Sequence, residues 1–310
     1  MSQQLFVPYP PMIDGTSIGF STAPTVNQNL KEMVAKSTSS LEPERFAISS
    51  EEPTAEFESP ALDVILGSGS GKLGISLLNG LFCSSGAVFQ YQQQTGEGGF
   101  DGDDVHVTMT SAKAFAFIES ISAKQDDQNP AMAKLKLLLL RSGSTYPQIL
   151  AVDQALAGAL ALTNMYSLGP VYVDGSEIAG LQGIEYVTGF EVEPKRAGGA
   201  TVAEQVHCKA KKHELRLQFQ NVGDFAAQGF GMSELAGTMS LYLRHISAGG
   251  GRTANTGSGN NKHIKISWSG GVSMLQEIKA NGDDSPAELV PTFFKRRGDT
   301  LTVSLTSAIP

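Results

Sequence analysis

The sequence predicts a mainly β protein, an antiparallel sandwich or barrel with an extended N-terminal arm, one short helix and long glycine-rich loops. Three observations carry this expectation. Short segments alternate apolar and polar residues with period two, which gives each strand one wet and one buried face. Glycine-rich turns separate these segments, and 34 of the 310 residues are glycine. Charged residues make up only 17%, below the ~25% of ordinary soluble domains, which suits a chain that hides surface against neighbours.

Taken in order, the first 22 residues are rich in proline, glycine and serine and read as an extended arm. The segment Asn27 to Ser37 places Val26, Leu30, Met33 and Val34 on one helical face, with Thr22 or Thr25 as N-cap, and is expected to be the helix. Residues 37–60 are polar and punctuated by proline, with short extended pieces that would gain order by lying along another subunit. Residues 1–60 thus form one unit, arm plus helix plus linker, and residues 61–310 a β-rich unit with an elaborated subdomain around 125–165.

Strand signals dominate from Leu73 onward. Ala87–Tyr91 and Asp104–Thr110 flank a turn-rich hairpin connection, Lys113–Ile121 follows, and Lys134–Leu140 reads as a buried strand. Residues 148–162 fit helix or strand equally. Further strands are expected at 171–175, 183–193, 207–219, 240–246, 263–268 and 300–306, with Leu215, Leu217 and Phe219 sharing one face and Trp268 in the core. The connections 193–201 and 247–261 are long and glycine-rich, and loops of that length are usually functional or disordered.

The formal net charge is −8, from 31 acids and 23 bases. A protein gripping DNA needs a basic face, and the densest basic runs, Lys209–Lys212 and Lys295–Arg297, are short. Two cysteines, Cys83 and Cys208, make no disulfide framework. The N-terminus shows neither the basic nor the apolar region of a secretory signal. The longest apolar run, Ala155–Leu162, is far short of the ~20 residues that span a bilayer. A soluble protein made in a reducing cytoplasm, without membrane contact, is expected.

No catalytic, cofactor or metal site is expected. Gly67–Leu73 resembles a phosphate-binding loop only superficially, because Lys72 is followed by Leu73 and the glycine spacing is short. His207, Cys208 and His213 lack a fourth zinc ligand, and adjacent strand residues point to opposite faces. Cys208 is read as a small core residue, with His207 on the wet face. The acid pairs at 103–104, 126–127 and 283–284 sit in turn sequences, where solvated turns are the plain reading and a loop calcium site the alternative.

The arm, short helix, run of antiparallel strands, long glycine-rich loops and hydrophobic last strand together resemble the tail tube proteins of long-tailed bacteriophages, and phage virion structural proteins more widely. The resemblance implies a homo-oligomer, commonly hexameric rings stacked into a conduit for DNA in the virion tail, with sheet edges paired between subunits. It implies other tail or virion proteins as partners and DNA passing without specific binding. Inter-subunit contacts would then fall on residues 1–60 and the loops at 193–205 and 247–261. The expected contacts are Phe6, Pro8, Tyr9, Pro10, Phe46, Phe57, Lys195, Arg196 and Arg252. A capsid decoration or tail-terminator protein, a β-sandwich that binds carbohydrate or a cell surface, and an enzyme without a recognisable motif are the other readings.

Overall fold

In the computed structural model, which describes residues 5–35, 42, 45–95, 99–100, 102, 105–125, 130–158, 164–219, 237–247, 250–256, 262–279 and 288–310, the chain is mainly β. β1 (Leu5–Ile13), β2 (Thr16–Ser17), β3 (Thr25–Asn27), β4 (Leu30–Ala35), β5 (Arg45–Glu51) and β6 (Thr54–Ser59) precede two short helices, α1 (Leu62–Leu66) and α2 (Ser76–Asn79). β7 (Leu81–Cys83), β8 (Ala87–Gln94), β9 (His106–Ser111), β10 (Lys113–Lys124), β11 (Met132–Leu140) and β12 (Ile149–Gln154) follow. Then come β13 (Met165–Val173), β14 (Ser176–Glu177), β15 (Leu181–Val187), β16 (Glu191–Lys195), β17 (Gln205–Ala210) and β18 (Glu214–Phe219). The last four are β19 (Gly237–Ile246), β20 (His263–Lys279), β21 (Glu288–Phe294) and β22 (Leu301–Thr306).

Among the described residues these strands pair antiparallel in four sheets. A five-stranded sheet has the order β12-β9-β8-β1-β2, and β16-β17 and β4-β5 each stand as two-stranded sheets. The large sheet runs β14-β13-β19-β20-β21-β18-β15-β10-β11-β6-β3, with β22 against β20 and β7 against β10. It bends at β20: the His263–Trp268 half pairs with β19 and β22, and the Val272–Lys279 half pairs with β21. The two arms of the sheet pack face to face, and Trp268 of β20 meets Tyr186 of β15 with ring centroids 6.0 Å apart. This is the sandwich geometry expected of strands that cross from one face to the other.

The core explains why β10 and β11 break the alternating pattern. Ala114, Ala116 and Ile118, with Leu135, Leu137 and Leu139, face the main core. Phe115, Phe117, Leu138 and Leu140 face the other way, where the β16–β17 hairpin covers them with Phe190, Val192 and Val206. A strand buried on both faces loses period-two patterning. Where the hairpin stops, the same outer face turns charged, with Lys134 and Lys136 paired to Glu119 and Glu56 at 2.5 and 2.7 Å.

The hairpin exists because two predicted strands each split. Residues 183–193 break at Thr188-Gly189-Phe190, and residues 207–219 break at Lys211–His213. The breaks face each other: Lys212 N donates to the Thr188 carbonyl at 3.0 Å. Gly189 has φ +58°, and a Cβ there would lie 2.6 Å from the Lys212 carbonyl oxygen. Only glycine fits so close a backbone approach in that conformation.

Three expectations are corrected. The helix predicted over 27–37 is not found among the described residues 27–35, which belong to β3 and β4, separated by Asn29 in the left-handed region at φ +46°. The apolar spacing suited a helix, but β5 and β6 supply the backbone hydrogen bonds instead. The described helices are α1 and α2, both too short to show a period, and α2 falls where strand signals were expected. Cys208 is exposed: it lies opposite Val192 on the hairpin, but the packed cluster takes Phe190, Val192, Ala203 and Val206 from this segment and stops short of it. The described N-terminal residues are hydrogen-bonded within the chain, with β1 alongside β8. Segment 125–165 supplies β11 to the large sheet and β12 to the edge of the five-stranded one.

Candidate assembly surface

The β4–β5 hairpin exposes five large apolar side chains among the described residues. Val34 lies opposite Phe46, and Glu32 opposite Ile48, while Met33 lies opposite Ala47. Directly opposed residues share a face, so apolar side chains stand on both faces. Met33 and Phe46 are each 60% exposed, and Leu30, Val34 and Ile48 are exposed as well. An isolated two-stranded hairpin is marginally stable in water, so this one draws its order from its base.

That base is polar and well tied. Asn29 donates its side-chain amide to the Glu52 carbonyl at 2.9 Å and to the Thr54 hydroxyl at 3.1 Å. Glu51 N donates to the Thr201 carbonyl at 2.9 Å, and Glu51 bridges Val202 in parallel. Arg196 pairs with Glu52, which Lys31 approaches at 3.7 Å. The structure therefore brings together two regions expected to carry contacts, the first 60 residues and the loop after Lys195.

The other expected contact residues scatter. Phe6 and Pro8 are exposed on β1, and Tyr9 is half-buried with its hydroxyl donating to the Gly158 carbonyl at 3.1 Å. Pro10 and Phe57 are corrected. Pro10 is buried, and its carbonyl accepts from Gln90 at 2.9 Å. Phe57, 3% exposed, belongs to the core because β6 turns it inward beside Leu135. Lys195 is exposed and pairs with Glu193 at 2.9 Å. Arg252 lies on a different part of the surface, donating to the Gln125 carbonyl at 3.0 Å.

Sequence reasoning missed Leu30, Met33, Val34 and Ile48 as surface, since the first three were assigned to a helix face. It also missed β12, where Leu150 is 68% exposed and Ile149 and Val152 stand open beside Tyr146. Exposed edge strands invite pairing with another chain. Here the register shift between Ala151 and Gln154, with Asp153 at φ +54°, blunts the edge. The hairpin has its own register shift, between Lys31 and Glu32, yet its apolar side chains remain exposed beyond it.

Lys72 reaches Asp63 at 2.9 Å, so its ammonium is committed within the turn after α1. Among the described residues no group of three or more His, Cys, Asp or Glu converges as a metal site. Cys83 and Cys208 are both free. The acid pairs at 103–104, 126–127 and 283–284 lie outside the described residues. No described helix is long and apolar enough to cross a membrane. Comparison with protein-family models and with curated proteins returns no match for the chain.

Proposed function

We propose that the chain is a virion structural protein that assembles with copies of itself into stacked rings, forming the tail tube of a long-tailed bacteriophage through which DNA passes without specific binding. The observation that carries the assembly reading is the β4–β5 hairpin, exposed on both faces and anchored only at its base. Covering its five exposed apolar side chains is worth on the order of 5 kcal/mol, which a neighbouring subunit would supply. The tube itself rests on the resemblance in organisation. On this reading the protein is made in the host cytoplasm, needs no cofactor, meets other tail proteins and performs no catalysis.

Negative-stain electron microscopy across a concentration series tests it. Stacked rings or hollow filaments are expected. Single closed rings that never stack would move the assignment to a terminator, and persistent monomers would move it to a decoration protein or binding module.

A further inference from the structure

Beside the bend in β13 lies an open cavity of about 260 Å³. That is below the ~300 Å³ at which sites for drug-sized ligands begin. The bulge in β13 falls between Leu168 and Val171. Gly169 sits within it, so close to β19 that a Cβ would lie 2.5 Å from the Tyr242 carbonyl oxygen. Two arginines from different segments line the cavity, Arg244 on β19 and Arg252 on the following loop, with Gln125, Gln182 and Glu177 on the walls.

Both guanidiniums are held in place yet left without a counter-charge. Arg244 donates through Nη2 to Asn255 Oδ1 at 2.8 Å, while its Nε is buried with no hydrogen-bond partner. Arg252 donates through Nη2 to the Gln125 carbonyl at 3.0 Å. Neither makes an ion pair among the described residues, unlike Arg196 and Arg216. Glu177, the only carboxylate among the lining residues, is exposed and pairs with neither. An unpartnered buried donor costs about 1–3 kcal/mol, and two cations lining one cavity repel. The planar guanidinium fork matches the oxygens of a carboxylate or phosphate.

We propose that this cavity is an oxyanion site, in which the guanidinium groups of Arg252 and Arg244 bind a compact carboxylate or phosphate group. The group comes from one of two sources: an acidic side chain of a second copy of the chain, or free phosphate. With 31 Asp and Glu residues, each copy has carboxylates to offer. The subunit source rests on the assembly reading above, and the free-anion source does not.

The test titrates the full chain with inorganic phosphate and with acetate at constant ionic strength, by calorimetry, for the native protein, Arg252→Gln and Arg244→Lys. In parallel, sedimentation velocity records the oligomeric state of each. Saturable phosphate binding that weakens roughly tenfold or more in both variants establishes the site and free phosphate as its ligand. Absence of free-anion binding, with oligomers lost in Arg252→Gln and restored in Arg252→Lys, establishes the site and a subunit carboxylate as its ligand. If the protein stays monomeric, the assembly reading fails and the phosphate titration alone decides. Neither anion binding nor an oligomer that responds to these variants would overturn the proposal. Unchanged thermal melts of the variants certify that folding is intact.

Discussion

The backbone N–H of His245 donates to Nδ1 of His263 at 3.1 Å, so that ring nitrogen carries a lone pair. Nε2 of His263 is then the protonated nitrogen and donates to the Ala254 carbonyl at 3.1 Å. Alongside, Asn164 donates to Asp63 at 3.0 Å and turns its oxygen to His245 Nε2 at 3.0 Å. His245 Nδ1 is left to accept from the Thr253 hydroxyl at 2.8 Å. His263 is thus neutral, and the two imidazoles fasten residues 253 and 254 to β19 and β20. Burial pushes both pKa values below the ordinary histidine range. A second proton on His263 would set N–H against N–H.

Acid is therefore expected to destabilise the fold. The clearest case is His213, whose Nδ1 shares a hydrogen bond of 2.8 Å with the Tyr186 hydroxyl. Burial first, then the nearby Lys211 and Lys295, lower its pKa from 6.5 to about 4. The unfolded chain takes up the proton first, so this stability is complete above about pH 6.5 and is lost as pH falls towards 4. His213 alone accounts for about 3 kcal/mol. Urea unfolding between pH 7.5 and 4 should show that decline, with a shallower slope in His213→Gln. A pH-independent midpoint would contradict the neutral, buried assignment.

Phe46→Glu is expected to abolish association while leaving the protomer intact. The side chain is 60% exposed and lies opposite Val34 on a face left open by the described residues. Surface substitutions of this kind usually stay within about 0.5 kcal/mol of neutral. Sedimentation velocity and a thermal melt on the same sample separate the two effects. An unaltered oligomer would remove this face from the interface.

Phe57→Ala should behave in the opposite way. Its side chain fills the core beside Leu135, and such a truncation costs about 3–5 kcal/mol. Chemical denaturation would register the loss directly. A change in association without a change in stability would show Phe57 at an interface after all.

Deleting residues 1–21 should damage the folded state and not merely its assembly. The deletion removes β1 and β2, strips β8 of one partner and takes Ile13 and Ile18, both fully buried, from the core. Increased trypsin sensitivity within β8 and β9 is the expected result. A truncation with native protease resistance would mean that the five-stranded sheet holds without β1.

The two thiols should differ sharply in reactivity. Cys208 is exposed, whereas burial first and then the Asp14 carboxylate push the Cys83 thiol up to about 12. Thiolate is the reactive form. A maleimide should label one site per chain in native protein and both sites in denaturant. Labelling of both under native conditions would show that the β7 edge opens.

The fold class was legible in the sequence because each strand needs only local alternation to be recognised. Leu215, Leu217 and Phe219 all face inward as that rule requires, and Trp268 is buried. Failures arose where spacing met two templates. Val26, Leu30, Met33 and Val34 fit a helical face, but the register with β5 and the left-handed Asn29 are tertiary facts. The surface site was legible only as a region. Arg196 and Glu52 lie 144 positions apart, and no local pattern brings such residues together. Phe46 and Phe57, both aromatic in polar surroundings, look alike in sequence and differ only by which way their strands turn.

The bend in β20 sets how the molecule yields under load. One uninterrupted backbone, His263–Lys279, belongs to both arms of the large sheet. Tension applied to either arm passes into the other through covalent bonds, with no linker to stretch first. The two arms should therefore rupture in a single event when the chain is pulled. In a filament, a subunit built this way would transmit force along its axis as a stiff element and would not extend by shedding one layer at a time.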